Sequence, residues 1–277
     1  MSLATARSLL FAPGNDERKL AKALAAGADA VVADLEDAVP AGEKETARAV
    51  AGGVLAEAGG GSLVAVRVNA AWSEHWEADL RTVADLPLDA LVLPKATPDA
   101  VSALGPDGPP VVAIVETALG LRQAYETACL PRVAALVLGA VDLGLELGLE
   151  PRPDGQEVLY ARSRLVVDSA AAGIRSPFDL VHVDTRDEAG LEDESRLARS
   201  LGFRGKACIH PAQVEIVNRV FSPTAEEVDR ARRVVEAYEL GLAGGRGVVA
   251  LDGEMIDLPV VERARRVLAE TERSVSE

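Results

Sequence analysis

The chain is poor in the residue types on which several large classes of protein depend. It has two cysteines in 277 residues, and aromatic residues make up only 3% of it. Two cysteines do not provide a disulfide framework, so we expect a reducing, cytoplasmic environment. With so few aromatic residues, the interior must consist of Ala, Val and Leu, as in parallel sheets that are covered by helices.

Long apolar runs and positively charged runs are also missing. No stretch of 18 or more apolar residues occurs, and the first seven residues lack the pattern of a secretory signal. The net charge is −15, and no Lys/Arg-rich segment stands out. We therefore expect neither a membrane nor nucleic acid as a partner, and we interpret the acidity as a solvated surface.

Short apolar strands that end in polar residues are what the sequence does contain. Residues 110–116, Pro-Val-Val-Ala-Ile-Val-Glu, have the pattern of a strand that is buried on both faces and ends in a carboxylate. Residues 134–142 repeat this design with an apolar strand, a turn of small residues and Asp142. If the two strands are parallel neighbours, Glu116 and Asp142 leave the sheet at the same end, close enough to share one cation.

Strands and helices alternate along most of the chain. Strands are predicted at residues 8–13, 29–37, 62–69, 89–95, 110–116, 134–139, 176–183 and 205–211, and helices at 17–26, 119–129, 156–172 and 188–201, among others. An open doubly wound sheet usually has fewer strands, and no Gly-x-Gly-x-x-Gly follows the first strand. The pattern therefore predicts an α/β protein, a TIM (β/α)8 barrel over residues 1–222.

Residues 223–277 are not needed to close such a barrel. They are predicted to contain a helix at 224–242, a Gly-rich connection, and a last helix from residue 259. Their ordered pattern and embedded acids predict a C-terminal helical extension that packs on a neighbouring part of the molecule or on a neighbouring subunit.

The predicted ends of the strands bring polar residues to one face of the barrel. Active sites of such barrels lie at this C-terminal face, because the loops there vary without disturbing the core. The residues predicted to lie there are Asp34, Glu36, Asp37, Arg67, Asn69, Lys95, Glu116, Asp142 and His210.

Glu116 and Asp142 are the predicted metal ligands. They provide two hard oxygen donors, with no Cys and no His-x-x-x-His nearby, a combination that suits Mg²⁺ and fits zinc poorly. The alternative is that each acid caps a following helix or pairs with a lysine.

Arg67 is the predicted donor to a carboxylate or to a developing enolate oxygen, since its guanidinium would be partly desolvated at the end of an apolar strand. The alternative is a buried ion pair with Asp34, Glu36 or Asp37, and both roles are compatible. Asp37 is predicted to orient Arg67 or a metal-bound water. Lys95, beside the acids, would stay charged, so we interpret it as a substrate or structural charge and not as a Schiff-base nucleophile.

Three further residues have weaker patterns. His210, after an apolar strand and before Pro211, is as compatible with a structural role as with a role in the site. His182 is interpreted as structural, and Cys208 as part of the core.

Seven motifs together resemble a known family. They are, in order, Leu9-Leu-Phe-Ala-Pro-Gly-Asn, Asp34-Leu-Glu-Asp-Ala-Val, Val66-Arg67-Val-Asn69, Leu93-Pro-Lys95, Val115-Glu116-Thr-Ala, Gly139-Ala-Val-Asp142-Leu and Gly205-Lys-Ala-Cys-Ile-His-Pro. This series resembles the citrate lyase β-subunit-like proteins of the HpcH/HpaI aldolase superfamily. Members are TIM barrels, usually trimers, that cleave or form the C–C bond between an acyl thioester and an α-keto acid.

The resemblance implies a set of roles. Glu116 and Asp142 would hold Mg²⁺, Arg67 would be catalytic, and Asp257, in the motif Met255-Ile-Asp257, would act in the site of the next subunit of a homotrimer. We add Asp37 as catalytic, and Lys95 and Asn69 as substrate-binding beside Arg67 and Glu116.

The implied activity is Mg²⁺-dependent cleavage of a β-hydroxyacyl thioester of the citryl-, citramalyl- or malyl-CoA type. The alternative is a β-subunit of a larger citrate lyase, which would act on a thioester of an acyl carrier protein.

Overall fold

Eight parallel strands close into a barrel in the computed structural model, which describes residues 2–276. They are β1 (Ser8–Pro13), β2 (Ala30–Asp34), β3 (Leu63–Arg67), β4 (Ala90–Leu93), β5 (Val111–Val115), β6 (Val133–Leu138), β7 (Phe178–Asp179) and β8 (Gly205–Cys208). Each strand pairs with the next, and β8 pairs with β1. The predicted TIM barrel is confirmed.

Small and β-branched residues fill the barrel. One buried cluster consists mainly of strand residues such as Ala30, Val32, Val112 and Ala135, and it includes a single phenylalanine, Phe178. Residues at the alternate strand positions belong to a second cluster together with residues of the helices. Alternate residues of each strand thus pack inside the barrel and against the helices. The strands are therefore buried on both faces although they contain few aromatic residues.

Ten helices surround the barrel within the described residues. They are α1 (Glu17–Leu24), α2 (Lys44–Ala56), α3 (Trp76–Ala84), α4 (Pro98–Ser102), α5 (Ala118–Arg122), α6 (Ala124–Ala128), α7 (Ala140–Leu147), α8 (Leu159–Ala172), α9 (Glu188–Leu201) and α10 (Ala212–Val220). Asp16 caps α1, since its side chain accepts a hydrogen bond from the backbone N–H of Lys19 at 3.0 Å.

Two predicted elements differ in the structure. The single helix expected at 119–129 is divided into α5 and α6, because Gln123 leaves the helical region with φ −104° and ψ 17°. The strand expected at 176–183 has only two residues, and it pairs with β6 through Phe178 alone. Pro177, which has no N–H to donate, directly precedes it.

Buried ion pairs compensate for the shortness of β7. The carboxylate of Asp179, which is fully buried, accepts from Arg162 Nε at 2.9 Å and from Lys206 Nζ at 2.8 Å. Burial raises the pKa of Asp179, but Lys206 and Arg162 outweigh this effect and hold it below its usual value. Glu194 of α9 contacts both cations, at 3.0 Å and 2.9 Å. The network ties β7 to β8, α8 and α9.

The described chain divides into two compact units at Phe221 and Ser222, one residue before the boundary predicted from the sequence. The second unit contains α11 (Ala225–Ala243), β9 (Val249–Leu251), β10 (Glu254–Ile256) and α12 (Leu258–Ser276). Thr224 and Glu227 form a capping box at the start of α11. The antiparallel pair of β9 and β10 was not predicted. Between residues 2 and 276, no helix combines the length and apolar character needed to cross a membrane.

We predict that Asp179→Asn lowers the free energy of unfolding by about 3–5 kcal/mol, because it leaves buried Arg162 and Lys206 without a full counter-charge. Urea unfolding followed by circular dichroism measures this change. The matched control is Asp154→Asn, which breaks the exposed pair of Arg152 and Asp154 and should lower the free energy of unfolding far less. Equal effects of the two substitutions would contradict the prediction.

Candidate active site

A cavity of about 440 Å³ opens at the C-terminal ends of the strands. Five of the residues predicted to lie at this face line it, namely Asp34, Asp37, Arg67, Glu116 and Asp142. Apolar residues of the barrel interior, including Ile114, Val137, Val181 and Ala207, line it as well. The cavity therefore has a charged rim and an apolar wall.

Arg67 is fixed at the end of β3 by a bidentate ion pair. Its Nε and Nη2 donate to the two carboxylate oxygens of Asp34, at the end of β2, at 2.7 Å and 2.5 Å. Its guanidinium also lies 5.3 Å from the centre of the Phe11 ring. Burial lowers the pKa of Arg67, but the hydrogen bond and charge of Asp34 outweigh it, so the pKa is raised and the side chain stays charged.

The third nitrogen of Arg67, Nη1, makes ion pairs but no hydrogen bond among the described residues, so it can donate to a ligand. Nη1 lies 3.1 Å from Glu36 Oε2 and 3.5 Å from Asp37 Oδ2. Glu36 Oε2 is nevertheless a buried oxygen without a hydrogen-bond partner, so the contact with Arg67 is electrostatic only. The predicted ion pair is thus present, and it leaves donor capacity on Nη1.

Glu116 is a buried carboxylate at the end of β5, with 3% of its surface exposed. Its Oε1 accepts a hydrogen bond from the backbone N–H of Lys95 at 2.7 Å. Burial, then the charge of Glu36 and, less strongly, that of Asp142 raise the pKa of Glu116 to about 7, against the opposing hydrogen bond and charge of Lys95. Glu116 and Asp142 therefore interact as like charges in one cavity.

This pair fits Mg²⁺. Asp142 lies in the first turn of α7 and not at the end of a strand. The sequence therefore predicted that Asp142 lies near Glu116, but not that a helix carries it. Within the described part of the chain, no group of three or more Asp, Glu, His or Cys residues forms a fuller ligand set. Mg²⁺ needs only one or two carboxylates, because it keeps waters and accepts oxygen atoms of a substrate.

Two predicted substrate-binding residues lie outside the cavity lining. Lys95 Nζ donates to Glu36 Oε1 at 2.7 Å. Asn69 is 5% exposed, and its amide nitrogen donates to Leu35 O at 3.0 Å and to Asp79 Oδ2 at 2.6 Å. Asn69 is directed away because Asp79, which is fully buried, requires its donors. The structure gives no support to substrate contact by Asn69.

The remaining predicted residues are placed as follows. His210 is exposed, and its Nδ1 accepts from the backbone of Ala212 at 3.2 Å, near the start of α10. His182 Nδ1 lies 3.2 Å from Glu194 Oε2, in keeping with a structural role. In the second unit, Asp257 Oδ1 accepts from Val260 N–H at 3.3 Å, next to the start of α12.

A larger cavity, of about 1020 Å³, lies beside the first and was not predicted. It is bordered by α7, the 151–155 insertion, α8 and α9, and it shares Ala140, Val141 and Val181 with the smaller cavity. Size alone does not make it the reaction site, because Arg67, Glu116 and Asp142 all line the smaller one.

Comparison with known proteins decides the family. The model of the HpcH/HpaI aldolase/citrate lyase family matches residues 7–104 and 106–211, well over half of the chain. The chain belongs to this family. A second model, for C–C bond lyases of the TIM-barrel fold, matches residues 160–272 of this HpcH/HpaI member.

Full-length relatives fall into two groups. A (3S)-malyl-CoA thioesterase of Cereibacter sphaeroides is 40% identical over 271 residues, which cover 96% of this chain and 94% of the relative. The citrate lyase subunit beta of Escherichia coli is 38% identical over 287 residues, which cover 98% of this chain and 94% of the relative.

A solved structure also matches almost the whole chain. Protein CitE of Mycobacterium tuberculosis, in complex with magnesium, acetoacetate and coenzyme A, matches with a TM-score of 0.84 and 34% identity. The match covers 97% of this chain and 99% of that chain. The resemblance inferred from the seven sequence motifs is thereby confirmed.

The raised pKa of Glu116 predicts a dependence of stability on pH. Because the folded-state pKa, about 7, exceeds the ordinary value of 4.5, the buried carboxylate lowers stability as pH rises from 4.5 through 7. Glu116→Gln removes this ionisation, so its stability relative to the wild type should rise by about 1–3 kcal/mol between pH 5 and pH 8. Urea unfolding in EDTA measures the difference, and an unchanged difference would contradict the prediction.

Proposed function

We propose that this HpcH/HpaI family member is a Mg²⁺-dependent C–C lyase. Its substrate would be a β-hydroxyacyl thioester, and its products an acyl thioester and an α-keto acid. The observation on which this rests is the shared cavity of Glu116, Asp142 and Arg67. The presence of magnesium, acetoacetate and coenzyme A in a neighbour that matches almost the whole chain supports it.

Glu116 and Asp142 would hold the metal ion. When bound, Mg²⁺ supplies a Lewis acid for the hydroxyl and carboxylate oxygens of the substrate. In the cleavage step the hydroxyl would give its proton to water, its O–H electron pair would become the C=O of the α-keto acid, and the electron pair of the broken C–C bond would pass to the acyl thioester as an enolate. Nη1 of Arg67, which makes ion pairs with Glu36 and Asp37, would donate a hydrogen bond to the enolate oxygen as its negative charge develops. Asp37, 3.5 Å from Nη1, would keep that nitrogen at the rim.

Protonation of the enolate carbon is assigned to Asp257. This residue lies in the second unit, between β10 and α12. We propose a homotrimer in which Asp257 of each chain completes the site of its neighbour, as the family resemblance implies. Its partial exposure leaves the carboxylate accessible, although one oxygen accepts from Val260.

The direct test is an assay of malyl-, citramalyl- and citryl-CoA with Mg²⁺, in which the α-keto acid is trapped as its phenylhydrazone. We expect keto acid from at least one thioester, and no detectable product after EDTA treatment. Glu116→Gln and Asp142→Asn should each lower kcat/KM by at least about 100-fold. The control Glu150→Gln, at an exposed acid, should retain full activity. Undiminished turnover in EDTA would contradict the proposal.

The role of Asp257 predicts complementation between subunits. Asp257→Asn and Glu116→Gln chains should each be nearly inactive alone. If Asp257 acts in the neighbour's site, mixed trimers contain sites with both residues intact, so mixing under exchange conditions should restore a substantial fraction of activity. Analytical ultracentrifugation checks the trimer. Failure of an exchanged mixture to recover any activity would contradict the assignment.

Thioester hydrolysis is the second candidate function, because 40% identical relatives are malyl-CoA thioesterases. The products separate the two reactions. A lyase releases an α-keto acid and retains the thioester, whereas a thioesterase releases free CoA and a hydroxy acid.

Action on an acyl carrier protein is the third candidate, supported by the 38% identical citrate lyase subunit. An acidic carrier would need a basic patch, for which Arg230, Arg232 and Arg233 of α11 are the sequence candidates. Arg230 pairs with Glu254, and Arg233 pairs with Asp252 at 2.7 Å, so this patch is largely neutralised. These two ion pairs weaken the case for docking of an acidic carrier at this helix. Native mass spectrometry with carrier protein and with CoA esters distinguishes them.

A further inference from the structure

The backbone of Lys95 has a conformation that requires an explanation. Its φ is 48°, in the left-handed region, which non-glycine residues seldom adopt. In this conformation its N–H donates to Glu116 Oε1 at 2.7 Å. Unfavourable backbone conformations persist where the surrounding structure requires them, and they are concentrated at functional sites.

Gly139 packs against the side chain of Glu116, close to its second oxygen, Oε2. It lies between β6 and α7, and its N–H donates to Val115 O at 3.0 Å. A Cβ atom at this position would overlap Glu116 Cβ, and would lie 2.7 Å from Glu116 Oε2 and 2.9 Å from Ile114 Cγ2. Glycine is therefore needed for the close approach of this backbone to Glu116.

The two oxygens of Glu116 thus have different surroundings. Oε1 is engaged by the Lys95 N–H, whereas Oε2 makes no hydrogen bond among the described residues and lies against the space that Gly139 leaves free. Asp142 is three residues further along the chain than Gly139, in the first turn of α7. Oε2 is consequently the oxygen that remains available to a cation shared with Asp142.

We propose that Lys95, through its backbone N–H, and Gly139, through its missing side chain, are positioning residues that fix the orientation of the Glu116 carboxylate for divalent metal binding. The inference rests on the proposed function. It assigns the role of Lys95 to its main chain, because the ammonium group donates to Glu36 at 2.7 Å and lies 3.9 Å from Glu116 Oε1, too far for a hydrogen bond. Neither residue contacts the substrate in this scheme.

The first test compares two glycines near or in α7. Gly139→Ala should raise the dissociation constant for Mn²⁺, measured by the EPR signal of the free ion, by about 10-fold or more, the usual effect of losing a group that orients a metal ligand. The matched control is Gly144→Ala, because a Cβ there would meet only Leu149 Cβ, at 3.9 Å. Its affinity should equal that of the wild type. Circular dichroism checks that both variants are folded.

The second test separates the main chain of Lys95 from its charge. Lys95→Met and Lys95→Val both remove the ammonium group, but only valine is β-branched and strongly disfavours positive φ. The dissociation constant for Mn²⁺ should be about 10-fold higher for Lys95→Val than for Lys95→Met. This pair also decides the matter if Gly139→Ala does not fold.

Glu116→Gln distinguishes failure of the inference from failure of the metal site. If Glu116→Gln binds Mn²⁺ far more weakly than the wild type, while Gly139→Ala and Lys95→Val bind it as the wild type does, the positioning role is overturned and the metal site stands. If Glu116→Gln itself binds Mn²⁺ with unchanged affinity, the metal site of the proposed function is overturned. Weak binding by all three variants, with normal binding by the controls, supports both.

Discussion

The repulsion between two carboxylates at the barrel's C-terminal face is the constraint on which the site depends. Glu116 is almost fully buried, and the charges of Glu36 and Asp142 together with its burial oppose its ionisation. Water screens such repulsion poorly in a narrow cavity with an apolar wall. A divalent cation would convert the two acids from repelling groups into ligands, and for this reason we interpret the arrangement as a metal site.

The positive charges of the site are already committed to particular acids. Arg67 is held by both oxygens of Asp34, and Lys95 is held by Glu36. Among the described residues, Asp142 has no such ion pair with a cation. The fold thus neutralises the acids that follow the second strand with its own cations. Of the pair formed by Glu116 and Asp142, only Glu116 has a cation of the described chain nearby, Lys95 Nζ at 3.9 Å from Oε1, so an external cation would complete the neutralisation.

The barrel and most of its strands were predictable, because buried parallel strands have continuous apolar patterns and each carries its polar residue at the end. Arg67 and Glu116 followed from that rule. The structural role allowed for Lys95 agrees with its ion pair with Glu36, whereas the sequence does not show that Asp79 would engage Asn69. The contributions of Phe11 and Gly139 depend on contacts between distant segments, which periodicity cannot reveal.

The two-residue length of β7 affects the mechanics of the whole cylinder. A closed sheet resists shear no better than its weakest pair of strands. Between β6 and β7, which form the seam of this barrel, only Val137 and Phe178 are paired. The ion pairs of Asp179 join β7 to β8 and α8 and include no residue of β6, so the contact between β6 and β7 depends on this one backbone pair and on side-chain packing. Since Val181 and Ala140 on either side of this seam border both cavities, small openings of the cylinder would alter the wall that separates them.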